Sequence, residues 1–288
     1  MDRNKTFPFP IPRIGGFFIG IVLLLTPILN TFAGVLVAPT VVILSENDRT
    51  GRITVQNPSD KPKEVSVYFS FGLPVSDSLG AVTIQLQDSG VTDPRSALNW
   101  IKAFPEKIVL EPGATQVIRL RANPPKNLPD GEYWTRIVVK SQEGETNIPV
   151  ASDPTKISTR LNMIMQTAIM LKYRTGDLLS KLEVINTDAR IIDSAVQVTV
   201  DMTNRGNVSY VGILKCKLLD ATGKEIANYH IDLAVYHNLT RRFKLPLPGQ
   251  GFIKPYRTEI SISTAGRTDI PEDAIVQGNI INFSKNIE

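Results

Sequence analysis

The stretch that decides the fold runs from residue 51 to residue 69 and reads GRITVQNPSDKPKEVSVYF. Residues 51–57 and 64–69 each alternate apolar with polar side chains, which is the period-2 pattern of half-buried β-strands. The intervening NPSD at 57–60 is a turn signal, because Pro fixes φ and Asn and Asp side chains hydrogen-bond their own backbone. The stretch therefore predicts two short strands separated by a turn.

The same alternation continues along the chain on both sides of Gly176. Further predicted strands occupy residues 116–120, 135–139, 194–203, 211–220, 225–235, 240–245 and 256–264. No helical period persists over three turns after residue 34, and many short strands at this spacing are typical of sandwiches or barrels. We expect an all-β fold of two sandwiches in series, with residues 268–288 either a final strand or a loose tail.

The N-terminus has the composition of a secretory signal peptide. Basic residues precede an apolar run at 14–29, and the residues TFA at 31–33 supply a cleavage site. A membrane anchor is the alternative, although Pro27 and Asn30 interrupt a run that is short against the roughly 20 residues of a membrane span. We expect a signal peptide at 1–33 and export of the mature chain.

The amino-acid composition argues against nucleic-acid binding, metal binding and thiol chemistry. Lys and Arg total 32 against 28 Asp and Glu, so the net charge of +4 is too small and too dispersed to predict nucleic-acid binding. Two histidines and one cysteine leave little for metal or thiol chemistry, and no nucleophile elbow, phosphate loop or zinc motif is present. We expect no catalytic residues, metal or cofactor, with an enzyme site assembled only by folding as an open alternative.

The single cysteine, Cys216, alternates with Leu214 and Leu218 on one face of a predicted strand. This pattern favours a small buried hydrophobic residue, and a reactive thiol is the alternative.

Residues 156–174, KISTRLNMIMQTAIMLKYR, form an unusually long apolar segment without Pro or Gly. Leu161, Met163 and Met165 share one face of the predicted strand. Methionine is flexible and polarizable, so it suits a surface that fits varied apolar grooves. The segment is either a long core strand or an exposed edge strand that adds to a partner's sheet, and the pattern alone does not decide between them.

Several motifs together resemble the periplasmic pilus-assembly chaperones, the PapD-like family. They are Trp100-Ile101, Pro105, LEPG at 110–113, QVIR at 116–119, LPDGEY at 128–133 and QTAIMLKYR at 166–174. The resemblance spans nearly the whole mature chain. It implies two immunoglobulin-like domains, at 34–174 and 175–288, with a cleft between them and a periplasmic location.

In that family the seventh strand completes the fold of an exported subunit by donor-strand complementation. The resemblance places the donor residues at Leu161, Met163 and Met165. It implies exported pilus-like or surface-fibre subunits as partners, with an outer-membrane usher as a further one, and it implies neither a cofactor nor a metal.

The family also holds the subunit's terminal carboxylate with an Arg and a Lys, and here the corresponding positions carry Val41 and Met170. Lys172, two residues beyond Met170, is the remaining candidate for a carboxylate contact. The resemblance further implies that Arg174 and Glu132 pair between the domains. The alternative function is a structural or adhesive exported β-sandwich protein without chaperone activity.

Overall fold

In the computed structural model, residues 34–144, 163–249 and 253–287 are described, and they form an all-β fold. Their strands make four sheets, two from residues before Gly176 and two from residues after it. The prediction of two immunoglobulin-like β-sandwiches in series is confirmed. The predicted signal peptide lies outside the described residues. Within the described ranges, no helix has the length and apolarity to cross a membrane.

The first sandwich is built from two sheets of antiparallel and parallel strands. Its strands are β1 (Leu36–Ala38), β2 (Val41–Ser45), β3 (Thr50–Gln56), β4 (Lys63–Ser76), β5 (Val82–Gln87), β6 (Ile101–Phe104), β7 (Lys107–Leu110), β8 (Thr115–Ala122), β9 (Gly131–Glu143) and β10 (Ile164–Thr175). One sheet has the order β1-β3-β8-β6, and the other has the order β2-β10-β9-β4-β5, with β7 also pairing with β4. A 3₁₀ turn, Leu98–Trp100, precedes β6.

The core of the first sandwich lies between these sheets. Ile53, Ile118 and Leu120 point inward from one sheet and meet Ile137 and Leu171 from the other, and each is at most 1% exposed. Burial of such side chains contributes about 1.5–3 kcal/mol each, so the alternating pattern of the sequence fixes which face of each strand is inside.

The second sandwich has a three-stranded and a four-stranded sheet. Its strands are β11 (Leu182–Ile192), β12 (Ala195–Asn204), β13 (Tyr210–Leu219), β14 (Glu225–Val235), β15 (Asn238–Pro246), β16 (Tyr256–Ser263) and β17 (Ile281–Ile287). The sheets have the orders β11-β12-β15 and β14-β13-β16-β17. A 3₁₀ turn, Glu272–Ala274, lies before β17. The C-terminal residues that the sequence left undecided therefore end in a strand paired with β16.

Cys216 is buried in the second core, at 1% exposure, between its cross-strand neighbours Tyr229 and Ile260. Desolvation raises the pKa of its thiol to about 12. The interpretation of Cys216 as a small buried hydrophobic residue is confirmed.

Candidate functional site

One edge of β10 is only partly covered. On one side β9 pairs with the whole strand, Ile164–Thr175, whereas on the other side β2 pairs in parallel only from Met170 to Arg174. Residues 164–169 therefore have no neighbouring strand on that side within the described part of the chain. We call residues 164–169 the open edge.

The backbone of the open edge presents hydrogen-bonding groups to a partner. The N–H of Met170 points away from β9, because it donates to the carbonyl of Thr40 over 3.2 Å. Backbone direction alternates along a strand, so the N–H and C=O groups of Ile164, Gln166 and Ala168 face the same side. An incoming strand could therefore pair with these three residues.

The side chains at the start of β10 are apolar and exposed. Met163, Ile164 and Met165 have 48%, 54% and 39% of their surface accessible, although a methionine or isoleucine is ordinarily buried. Further along, Ile169 and Leu171 are buried in the first core. The segment is thus core strand in its second half and exposed strand at its start.

The predicted donor residues fall on this exposed part. Met163 and Met165 lie on the face that β10 turns toward the first core further along, and Leu161 lies outside the described residues. Ile164, which was not among the predicted donor residues, is the most exposed of the three and lies on the opposite face. The sequence feature that could have identified Ile164 is its position between Met163 and Met165.

A buried charge network fixes the other end of β10. The carboxylate of Glu132 on β9 is fully buried, and it lies 2.9 Å from Nζ of Lys172 and 3.0 Å from Nη2 of Arg174. Ser209 of the second sandwich donates its hydroxyl to Oε1 of Glu132 over 2.6 Å and accepts a hydrogen bond from Lys172 over 2.6 Å. Each carboxylate oxygen of Glu132 therefore has a cationic partner.

This network keeps Glu132 ionised. Burial on its own raises the pKa of the Glu132 carboxyl, but Lys172 and Arg174 oppose it and the net pKa is lowered. A buried carboxylate is stable only when it is paired and hydrogen-bonded in this way.

The expected pair of Arg174 and Glu132 has a different placement from the one that the resemblance implied. Both residues belong to the first sandwich, where they are directly opposite each other on β10 and β9. The link to the second sandwich is made by Ser209 and by the carbonyl of Ala274, which accepts a hydrogen bond of 2.7 Å from Nη2 of Arg174.

A small cavity of about 180 Å³ lies between the sandwiches beside this network. Val41 and Met170, at the two positions where the family has cations, are directly opposite each other on β2 and β10 and both line it. Tyr236 and Ala234 of the second sandwich form the opposite wall. The cavity is mostly apolar where the resemblance led us to look for a carboxylate site.

Two cations also line the cavity, and their situations differ. Lys172 is bound to Glu132 and Ser209, as described above. Arg136, next to Met170 on β9, is 7% exposed, and its Nε donates to the carbonyl of Gly72 over 3.3 Å. No carboxylate lies within ion-pairing distance of Arg136 among the described residues, and burial lowers the pKa of its guanidinium.

Unpartnered polar atoms lie on the same face as Arg136. Ser70 is directly opposite Arg136 on β4, and its hydroxyl is buried without a hydrogen-bond partner within the described ranges. The same holds for the indole N–H of Trp134, two residues before Arg136 on β9. In residues 34–144, 163–249 and 253–287, no group of three or more His, Cys, Asp or Glu side chains is arranged to hold a metal ion.

No family model and no curated protein matches the sequence. Solved structures do resemble the chain. The YadV chaperone is 15% identical, with 88% of this chain and 98% of that chain covered and a TM-score of 0.44. The E. coli chaperone DraB is 14% identical, with coverages of 88% and 97% and a TM-score of 0.40. A complex of the Salmonella enterica SafA pilin with the SafB chaperone is 14% identical, with 88% of this chain and 97% of that chain covered and a TM-score of 0.43.

Proposed function

We propose that this protein is a periplasmic chaperone of the PapD-like type, which holds exported pilus-like or surface-fibre subunits by strand addition. The observation that carries the proposal is the open edge of β10 with its exposed apolar start. An unpaired apolar strand edge is an aggregation hazard unless pairing is its role. The motifs that resemble the family, among them QTAIMLKYR at 166–174, support the same function.

Strand addition uses both features of the open edge. Backbone pairing at Ile164, Gln166 and Ala168 would supply affinity that is independent of the partner's sequence. Burial of Met163 and Met165 in grooves of the subunit would add about 1.5–3 kcal/mol for each side chain. Methionine side chains adapt to varied grooves, so several related subunits could be accepted.

The cleft would receive the end of the bound subunit. Since Lys172 is bound to Glu132 and Ser209, the cation in the cavity without a carboxylate partner is Arg136. We assign the contact with a terminal carboxylate to Arg136, in place of the Val41 and Met170 positions. A guanidinium suits this role, because it can donate two parallel hydrogen bonds to one carboxylate.

The function requires no catalysis, metal or cofactor, since the client is held and released without a change in covalent bonds. Location in the periplasm follows from the predicted signal peptide and from the export of the clients. An outer-membrane usher would be a further partner, which takes over the client at assembly.

The test is purification of the protein from the periplasm of its source cells, with mass spectrometry of whatever co-elutes. A stoichiometric small secreted β-protein is expected with the unmodified chain and absent with Met163→Asp/Met165→Asp. Leu86→Asp is the matched control, because Leu86 is also exposed, at 44%, on the edge strand β5 of the same sheet. The control variant should retain the client.

Two outcomes would contradict the proposal. If both aspartate variants carry the client equally, the open edge is not its binding site. If the unmodified protein is stable and has no partner, the alternative of a structural or adhesive exported module is favoured. The apolar residues Val41 and Met170 at the family's anchor positions are the observation on which that alternative rests.

A further inference from the structure

The outward face of the sheet β1-β3-β8-β6 carries a cluster of cations on neighbouring strands. Arg52 on β3 lies directly opposite Arg119 on β8, and Lys102 on β6 lies directly opposite Arg121 on β8. All four side chains are exposed. We call these four residues the cationic face.

The cations of this face have no acidic partner in the described part of the chain. Some exposed cations elsewhere do have one. Arg190, for example, lies 2.9 Å from Asp188, and Lys217 lies 3.2 Å from Glu225. Asp48 also lines the groove at the cationic face, but it accepts hydrogen bonds from the backbone N–H and the hydroxyl of Thr50.

Like charges directly opposite each other on adjacent strands destabilise a sheet. The pair of Arg52 with Arg119 and the pair of Lys102 with Arg121 therefore raise the free energy of the isolated protein. An anionic partner would remove this repulsion on binding, so the arrangement favours the bound state over the free one.

The surroundings of the cationic face indicate the class of partner. The groove there has a volume of about 1200 Å³, and Phe104, which is 74% exposed, lies directly opposite Arg119. Val117, 43% exposed, is two residues from Arg119 along β8 and also lines the groove. Arginine beside exposed aromatic and aliphatic side chains is typical of protein interfaces.

We infer that the cationic face binds an acidic segment of a protein partner, with carboxylates on Arg52, Arg119 and Arg121 and an apolar side chain on Phe104. A planar guanidinium matches a carboxylate with two hydrogen bonds. Surfaces that bind anionic lipid are commonly basic amphipathic helices or basic segments next to a membrane span, whereas these four cations lie on a β-sheet.

The cationic face and the open edge belong to different sheets of the first sandwich. β3, β6 and β8 form one sheet, and β10 lies in the other. A partner at the cationic face can therefore bind while the open edge is occupied, and the inference stands independently of the proposed function.

The test uses a fluorescein-labelled peptide of twelve residues with Glu or Asp at alternate positions and one central Leu, followed by fluorescence anisotropy. The same peptide with Gln and Asn in place of the acids is the uncharged probe. The acidic peptide should bind, with an affinity that falls as salt is added. The Arg52→Glu/Arg119→Glu variant should lower that affinity at least tenfold.

The control is Arg190→Glu/Arg257→Glu, which changes the net charge by the same amount on exposed strands of the second sandwich and should bind like the unmodified protein. A second variant, Arg119→Glu alone, places an acid opposite Arg52, so it should raise Tm while it weakens binding. Equal binding of the peptide by all variants would overturn the inference. So would arginine-dependent binding to phosphatidylglycerol vesicles with no binding of the peptide.

Discussion

Nζ of Lys172 lies 2.9 Å from Oε1 of Glu132, and both side chains are buried where the two sandwiches meet. Lys172 belongs to the same strand as the open edge, residues 164–169. The charge network thus fixes the C-terminal half of β10, and the N-terminal half remains available for pairing. One strand serves the domain junction and the proposed binding edge together.

Replacement of Glu132 by Gln should destabilise the protein strongly. The change leaves the buried Lys172 and the mostly buried Arg174 without a counter-charge, and removal of one partner from a buried ion pair costs about 3–5 kcal/mol. Urea unfolding of the mature protein measures the loss. Glu183→Gln is the control, because Glu183 pairs with Arg205 at the surface and should contribute less than about 1 kcal/mol. Equal losses for the two variants would contradict the account.

The stability of the protein should also fall in acid through Glu132. Burial raises the pKa of this carboxyl, but the charges of Lys172 and Arg174 lower it by more. The folded-state pKa of Glu132 therefore lies below its unfolded-state pKa. The network therefore stabilises the fold above the unfolded-state pKa of about 4.3 and ceases to do so as pH falls through the folded-state pKa. Unfolding free energies measured from neutral pH downward should show this loss. If the unfolding free energy of Glu132→Gln falls in acid as much as that of the unmodified protein, the loss does not come from Glu132.

Arg136 and Lys172 should respond differently to replacement by Met. Arg136→Met removes a buried charge that has no carboxylate partner, so the unfolding free energy should change by less than about 1.5 kcal/mol. Lys172→Met removes one of the two cations from Glu132 and should cost about 3 kcal/mol. Arg136→Met should nevertheless weaken the complex with the client at least tenfold. Unchanged client affinity in this variant would refute the carboxylate contact at Arg136.

The thiol of Cys216 should be inert in the folded protein. It is 1% exposed, and desolvation raises its pKa to about 12, so the thiolate that reacts with disulfide reagents is scarce at neutral pH. Labelling with a chromogenic disulfide should proceed only in denaturing urea. Rapid labelling of the native protein would show that the second core opens readily around β13.

Strands were predicted most accurately from the sequence where one face of the strand is buried and the other is exposed to solvent. The predicted strand at 225–235 coincides with β14, Glu225–Val235, because its alternation matches its burial. β11, Leu182–Ile192, was missed, since it packs at the edge of its sheet and carries polar residues such as Asn186 and Asp188 through its middle. The alternation of apolar and polar residues is a weak signal for a strand that is only partly buried.

The site was harder to predict, because it depends on packing between the sandwiches. Arg136 follows Thr135 and precedes Ile137 in an ordinary alternation, which places it on the outward face of a single sheet. Residues of the second sandwich, among them Tyr236 and Ala234, lie against that face and help to bury it. For the same reason, the sequence did not reveal that Lys172 is held by Glu132 and Ser209.

The central claim is that a client adds a strand to the open edge of β10. Amide hydrogen exchange of the protein, alone and in its purified complex with the co-eluting subunit, tests it most directly. In the free protein the amides of residues 165, 167 and 169 face β9 and should already be protected, whereas those of Ile164, Gln166 and Ala168 should exchange fast. In the complex, these three amides should become protected. Unchanged fast exchange at all three in a stoichiometric complex would contradict donor-strand binding.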